Sequence, residues 1–538
     1  MAGPAFATDT VMRRYLQLAG SAAAVVFLAQ GCATEYVEET DDAYSADRAA
    51  CRFKRGAKSE VTAGVGAKIP AGTVEKIVVL MQENRSFDHL FHNLNNYAKR
   101  SDIDLAKEIV QPMKPDYSGE GRDQGPFVEG QHAPHLCFGD TNHEWYAAHE
   151  QFNNGKMNGF WQTNQSKTEL GLAPEHTLGA RALWWYDERD IPFYYDLAAT
   201  FGIGDKYFSS VLGPTFPNRD FLYGATSKGL TYNFSPTPKH AKDLGDHPFQ
   251  HMYDPDNPET IFDALEAKGI SWKVYSAVSK FGIDLPIVAG VSSAIGSAGP
   301  FTRWGVKSIT HFKDIGDYYE DAKKGELPAV SFVDANLTGG APPSNDDHPP
   351  GNIQDGEKFV ATIVNTLMTG KDWKRSALFI TWDENGGLYD HVTPPKACVP
   401  DDSKVRAGYD DEDQERIEEH PEEGFDRLGF RVPVIVVSPF VKPRHVSHKT
   451  YDHSSIIRFI ELKHGLDALT ARDANADPML DFFDFSKKAY MNPPKLKAPG
   501  DNKAEAKYCE DMFGPPSLSE KVKKIAGKIG SFLNPFDD

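Results

Sequence analysis

Cysteine is scarce in this chain: 538 residues hold five, at positions 32, 51, 137, 398 and 509. No two of them form a CxxC pair, which argues against a zinc knuckle and leaves one or two disulfides in an oxidising compartment as the expectation, with the pairing open. Basic charge is short as well. Lys and Arg number 58 against 77 Asp and Glu, a formal net charge of −19, and a nucleic-acid partner is argued against because such proteins carry a basic surface that displaces counterions from phosphates. A cationic or zwitterionic substrate is compatible with that charge. Much of it sits in two runs, "EYVEETDDAYSAD" at 35–47 and "YDDEDQERIEEHPEE" at 409–423, which read as solvated linker or loop because like charges repel and stay hydrated. Internal repeats are not visible.

Long apolar runs are also missing. The mostly apolar stretch from Leu16 to Ala29 follows Arg13 and Arg14 and precedes Gly31 and Cys32. It is too short for a comfortable membrane span and has the layout of an export signal. The arginine pair resembles a twin-arginine signal and Gly31–Cys32 a lipoprotein cleavage site, so simple cleavage and lipid anchoring both stay open.

What the chain does contain is a globular composition, 40% hydrophobic, 25% charged and 12% aromatic, with 45 glycines and 36 prolines that imply many turns and long loops. The expected layout is an export signal at 1–32, a polar linker at 33–73, one catalytic domain at 74–466 and a tail at 467–538. Within the tail, 519–533 has an amphipathic pattern that suits either an anionic bilayer or its own domain. Apolar strands are expected at 77–81, 270–276, 329–334, 377–383 and 432–438, and helices at 259–269 and 357–368, the second with Phe359, Val360, Ile363, Val364 and Leu367 on one face. Strands alternating with helices predict a largely parallel sheet covered on both sides, an α/β sandwich.

Two of these strands end alike. "KIVVLMQEN" delivers Glu83 and Asn84, and "ALFITWDEN" delivers Asp383 and Glu384. Three carboxylates and an amide converging at the carboxyl edge of a sheet repel one another unless a cation sits among them. Oxygen ligands suit a hard divalent ion such as Mg, Ca or Mn. Either pair alone is as well explained by helix caps or surface ion pairs. A third element is "SSVLGPTFPNRDF" at 209–221, where Gly213, Pro214 and Pro217 stiffen a turn around Thr215, with Asn218 and Arg219 following. A threonine hydroxyl is a weak nucleophile that a metal can activate. His143, His348, His391 and His453 lie in polar or Gly/Pro-rich segments, where several imidazoles near a metal would clamp phosphoryl oxygens or protonate an alkoxide.

The ordered set "ENRSFDHLF" (83–91), "GPTFPNR" (213–219), "HPPG" (348–351), "DENGGLYDHVTPP" (383–395), "GFRVPVIVVSP" (429–439) and "YDHSSIIR" (451–458) resembles the motifs of the phosphoesterase family, which holds bacterial and plant non-specific phospholipases C and a metal-dependent acid phosphatase. The resemblance implies an alkaline-phosphatase-like, three-layer α/β/α sandwich and hydrolysis at phosphorus. It implies one divalent cation held by Glu83, Asn84, Asp383, Glu384 and Thr215, with Zn as the alternative to a hard ion. It makes Thr215 the nucleophile that becomes phosphothreonine, sets His143 and His348 on phosphoryl oxygens or the leaving-group proton with His391 nearby, and puts Asn218, Arg219 and His453 on the substrate side. Arg85 and Asp88 would brace the turn. His92 after Phe91, and Asn158 in "GKMNGF", depart from the family pattern without removing a ligand.

The implied activity is an exported phospholipase C acting on phosphatidylcholine-like lipids, with peripheral membrane contact open and oligomeric state unread. The alternatives are an acid phosphatase acting on monoesters and a catalytically silent surface binding protein. The aromatic segment 181–198 reads as core rather than as a lipid-accepting mouth.

Overall fold

The computed structural model describes residues 44–64, 66–118, 121–165, 178–233, 259–277, 310–337, 344–400 and 424–514. The export segment, the run at 409–423 and the amphipathic pattern at 519–533 lie outside the described residues.

All five expected strands form, and they make the middle of one sheet. In chain order the strands are β1 (Lys76–Gln82), β2 (Val110–Lys114), β3 (Gln124–Glu129), β4 (Gly202–Gly204), β5 (Trp272–Ser276), β6 (Phe312–Asp314), β7 (Val330–Asp334), β8 (Ser376–Trp382), β9 (Val434–Val437) and β10 (Val446–Ser447). Eight of them order as β10-β4-β9-β8-β1-β7-β5-β6, while β2 and β3 form a separate hairpin. Every pairing in the large sheet is parallel except the two made by β9, which runs against β8 and β4. Strands β4, β6 and β10 are two or three residues long, too short to leave a period in the sequence.

The central strands are mostly apolar and, apart from Lys76, buried on both faces, so they need a cover on each side. Helices supply it in two sets. One comprises Pro192–Thr200, Ile315–Lys324 and Ile353–Thr369, and the other Thr215–Gly224, Ile261–Ala267 and His453–His464, with contacts inside each set. The helix expected at 357–368 is longer, starting at Asn352, whose side chain caps the Gln354 N–H, and all five apolar residues named above are buried in it. Ile261–Ala267 begins on a reciprocal capping box between Thr260 and Asp263. Of the aromatics expected in the core, Trp184 and Tyr194 are 3% and 0% exposed, while Trp185 is half-buried.

Two disulfides close the chain, Cys51–Cys398 and Cys137–Cys509. The segment 44–64 and the segment 467–514 both pack on the same unit as the sheet: Lys58 bridges to Asp467, and Ala471, Ala474, Met479 and Phe482 are buried. Among the described residues, no helix is long and apolar enough to cross a membrane.

Candidate active site

The register of three parallel neighbours decides where the acids meet. Met81 pairs with Asp334 of β7 and Gln82 with Trp382 of β8, so Asp334, Glu83 and Asp383 emerge at one edge of the sheet. Asp334 is a residue that sequence reasoning missed, although "AVSFVD" ends on an acid just as the other two strands do. Just past the edge the chain turns. Asn84 takes a left-handed φ of +57°, its N–H donates to Asp383 Oδ1 at 3.1 Å, and the Glu384 N–H donates to the same oxygen at 2.7 Å. Gly386 and Gly387 follow at φ +63° and +68°. A Cβ on them would stand 2.5 Å from the Asn84 carbonyl and 2.4 Å from the Asn142 carbonyl, so only glycine lets this turn close onto both neighbours.

The guanidinium of Arg219 lies among the three acids. Its Nε donates to Asp383 Oδ2 at 3.0 Å, and its other nitrogens lie 3.4 Å from Glu83 Oε1 and 3.8 Å from Asp334 Oδ1. Arg219 is 0% exposed. It therefore holds the carboxylates from behind rather than meeting a substrate, which corrects the expectation for this residue. Asn218 is corrected on the same ground. Its Oδ1 accepts from the N–H groups of Ser210 and Val211, and its Nδ2 donates to the carbonyls of Gly213 and Pro214, so its amide is spent on shaping the turn before Thr215. His453, also expected to touch substrate, is 0% exposed. Its Nε2 donates to the Asp383 carbonyl at 2.7 Å and its Nδ1 accepts from the Tyr207 hydroxyl at 3.0 Å, and burial pulls its pKa down to about 4.

Thr215, by contrast, keeps 7% of its surface open. It is the first residue of the helix Thr215–Gly224, one turn before Arg219, so the two share a face at roughly 6 Å spacing along the axis. Arg219 reaches the ends of β1 and β8, and among the described residues none engages the Thr215 hydroxyl in a hydrogen bond.

His143 and His348 complete the cluster. Their rings meet edge to face with centroids 5.6 Å apart, and together with Asp140 they present ligand atoms within 4.8 Å of one another. His143 Nδ1 donates to the Thr141 carbonyl at 2.6 Å, and its Nε2 lies 3.4 Å from Asn84 Nδ2 and 3.9 Å from Glu384 Oε1. Burial opposes a charge on this imidazole, but the carboxylates of Glu384 and Asp140 outweigh it and raise the pKa. Asp140 was another acid the sequence did not single out.

His391 stands in a different network. It pairs with Asp88 at 2.6 Å and Asp104 at 3.1 Å, while Arg431, beside it, is clamped by Asp88 and Asp390 at 3.0 Å each. Among the described residues its partners are Asp88, Asp104 and Arg431 rather than the strand-end acids or Thr215, so the structure groups it with the turn's bracing, which corrects the expectation that it belongs to the catalytic set. Asp88 braces that turn as expected. A cavity of 610 Å³ beside Cys51–Cys398, lined by Arg48, Asp452 and Arg472, includes none of the residues gathered here.

The donor set fits a cation. Asn84 Oδ1 and Glu384 Oε1 are buried acceptors with no hydrogen-bond partner, and an unmade hydrogen bond there is costly. Burial drives the pKa of Glu83 and Glu384 well up and that of Asp383 up, although Arg219 pulls Glu83 and Asp383 down and His143 pulls Glu384 down. A divalent ion among these oxygens would relieve both penalties.

Residues 74–467 match the sequence model of the Phosphoesterase family. The chain is 30% identical over 454 residues to "Phospholipase C A" of Mycobacterium tuberculosis, covering 79% of this chain and 80% of that protein. It is 30% identical over 442 residues to "Non-specific phospholipase C1" of Arabidopsis thaliana, covering 77% and 71%. To "Non-hemolytic phospholipase C" of Pseudomonas aeruginosa it is 29% identical over 415 residues, covering 73% and 54%. A solved structure from the alkaline phosphatase superfamily, from Vibrio parahaemolyticus, overlays with a TM-score of 0.32 at 10% identity, covering 76% of this chain and 71% of that one.

Proposed function

The chain belongs to the phosphoesterase family, and we propose that it is an exported phospholipase C, hydrolysing phosphatidylcholine-like lipids to diacylglycerol and a phosphorylated headgroup. The observation that carries this reading is the free Thr215 hydroxyl, placed one helical turn from an arginine that is ion-paired to both strand-end acids. The relatives named above bear the name phospholipase C.

In the proposed mechanism Thr215 Oγ, its proton passing to solvent, attacks phosphorus in line. Its bond to phosphorus forms as the bond from phosphorus to the diacylglycerol oxygen breaks, and water then cleaves the phosphothreonine. His143 and His348, 7% and 8% exposed, hold phosphoryl oxygens and supply the proton to the departing alkoxide. The positive end of the helix Thr215–Gly224 faces the developing charge. Glu83, Asn84, Asp383 and Glu384, with Thr215, would hold one divalent cation, which would lower the pKa of the hydroxyl and offset phosphoryl charge. The oxygen donors favour Mg, Ca or Mn, with Zn the alternative where His143 joins the set. Arg219 keeps the acids in place, Asn218 keeps the turn, and His453 fixes the main chain of Asp383.

A lipid substrate is favoured over a soluble monoester by the hairpin. Val110 and Phe127 are 41% and 58% exposed there, with Tyr117 at 39% between its strands, which suits contact with a bilayer surface. The hairpin also connects to the site. Gln111 Nε2 donates to the Met157 carbonyl and its Oε1 accepts from Phe160 N–H, Asn164 donates to the Phe160 carbonyl, and Asn142 N–H donates to Asn164, one residue from His143. Export is supported by the N-terminal arginine pair and apolar stretch together with the two disulfides.

The test is purified enzyme on phosphatidylcholine vesicles beside a soluble phosphomonoester. Diacylglycerol release from the vesicles is expected. Monoester cleavage without diacylglycerol would replace this reading with a phosphatase, and no turnover of either would leave a binding protein.

A further inference from the structure

Asp347 immediately precedes His348, and no step above uses it. Its backbone is left-handed at φ +73°, a region that strains a residue with a side chain, and it is 2% exposed. Its Oδ2 accepts from the Tyr194 hydroxyl at 2.8 Å and from the Trp382 indole N–H at 2.9 Å. Its Oδ1 faces the helix Ile353–Thr369 at Gly356, where a Cβ would stand 1.8 Å away, so the helix leaves a gap that this carboxylate fills. Its carbonyl accepts from Arg85 Nε at 2.7 Å. One residue earlier, the Asp346 carbonyl accepts the Glu83 N–H at 2.7 Å.

These partners share one property. Trp382 directly precedes Asp383, Arg85 directly follows Asn84, and Glu83 is itself a strand-end acid. The loop bearing His348 is therefore fastened at three points to the two chain segments that carry the proposed cation ligands. Arg85 is a firm anchor: it is fully buried, its guanidinium lies 5.2 Å from the Phe138 ring and 5.9 Å from the Tyr186 ring, and its Nη1 is 3.0 Å from His89 Nε2. His348 has little independence from this backbone, because its Nδ1 donates to the carbonyl of the adjacent Pro349. The direction of its Nε2 thus follows the main chain of residues 347–349.

We propose that Asp347 is a positioning residue, whose carboxylate ties the loop to Trp382 and Tyr194 and so sets where His348 stands relative to the strand-end acids and the phosphorus beside them. The role rests on the phosphoester-hydrolase reading for its kinetic consequence and on the structure alone for its geometric one. Asparagine should substitute well, since it keeps an oxygen for both donors and tolerates the left-handed region. Alanine should not.

The experiment compares wild type, D347A, D347N and Y194F with a soluble phosphodiester, and follows the His348 imidazole by NMR in 15N-histidine-labelled protein, assigned from H348Q. In D347A, kcat falls about 10²-fold, the size of loss that a displacement near 1 Å produces, while KM holds within roughly twofold of its value as expected for a group acting after binding. D347N recovers most of the rate, Y194F loses a few-fold, and the His348 resonance moves in D347A but little in D347N. Three results would overturn the proposal: a loss in D347A matched by its loss of folded protein, a loss appearing in KM alone, or D347N no better than D347A. Should D347A fail to fold, Y194F with wild-type kcat and an unmoved His348 signal overturns it equally. If wild type turns over no phosphodiester, the hydrolase reading fails, and the His348 resonance still decides the positioning role.

Discussion

Arg219 Nε donates to Asp383 Oδ2 at 3.0 Å, with both side chains 0% exposed. A cation fixed by the protein itself thus stands among Asp383, Glu83 and Asp334, ahead of any ion taken from solution. Removing one partner of such a buried pair costs roughly 3–5 kcal/mol because the remaining charge has no counter-ion. R219M is expected to melt well below wild type, R219K less so, and R219M combined with E83Q to recover part of the loss. Thermal melts followed by circular dichroism check this, and R219M melting with wild type would remove the counter-charge role.

Replacing the nucleophile should separate chemistry from folding. T215A is expected to lose about 10³-fold or more in kcat, in line with losses of catalytic nucleophiles elsewhere. Its melting point should stay near wild type, because the hydroxyl makes no hydrogen bond among the described residues. An active T215A would send the search to another nucleophile.

The cation can be tested without turnover. An ion that binds only the folded chain stabilises it by about 2.7 kcal/mol at a hundredfold excess over Kd. Chelation should therefore lower the melting point of wild type, and restored Mg, Ca, Mn or Zn should raise it. E384Q, which alters the acceptor left without a partner, should respond to neither. Equal responses in wild type and E384Q would place the ion elsewhere.

The bracing network predicts a pH signature. Burial opposes the charge on His391, yet the hydrogen bond and charge of Asp88, with Asp390, raise its pKa to about 9. Burial likewise opposes ionisation of Asp88, but Arg431 and His391 hold its pKa at about 2. The raised imidazole contributes stability that is complete below pH 6.5 and is lost as pH climbs through 9. The depressed carboxyl contributes stability present above pH 3.8 and lost as pH falls towards 2. The difference in melting point between wild type and H391Q should accordingly be largest from about pH 4 to 6.5 and shrink by pH 9. A difference that stays constant through pH 9 would refute the ionic pairing.

The hairpin gives a test that spares the chemistry. F127S should cut diacylglycerol release from vesicles several-fold, because a fully buried aromatic is worth about 1.5–3 kcal/mol. Its rate on a soluble phosphodiester should match wild type. Equal losses on both substrates would show that the hairpin serves folding rather than docking.

The parts of this molecule readable from sequence were those with a local signature. The runs ending at Gln82, Asp334, Trp382 and Val437 announced themselves by continuous burial, and the paired acids by their place at strand ends. The histidines were another matter. His143, His348, His391 and His453 sit in similar polar surroundings in the sequence, yet the fold gives the first two to a cluster with Asp140, the third to a brace around Arg431, and the fourth to the back of Asp383. Asn218 and Arg219 were misread for a related reason. A motif shows which residue types keep company, but the direction of each side chain is set by helix phase: four residues after Thr215 the chain faces the sheet edge, and the guanidinium is drawn inward by acids contributed from three distant strands. Asp334 was within reach of the same strand-end argument and was overlooked. The short strands β4, β6 and β10 were not readable at all, since two or three residues carry no period.

The two cystine bridges interleave: Cys51 joins Cys398, and Cys137 joins Cys509. Any single backbone scission between residues 51 and 509 therefore leaves both fragments attached to each other through at least one sulfur link. A protease that nicks a surface loop would yield a species running as one band on a non-reducing gel and as two after dithiothreitol, and the severed enzyme would keep Thr215 and the strand-end acids within one covalent body.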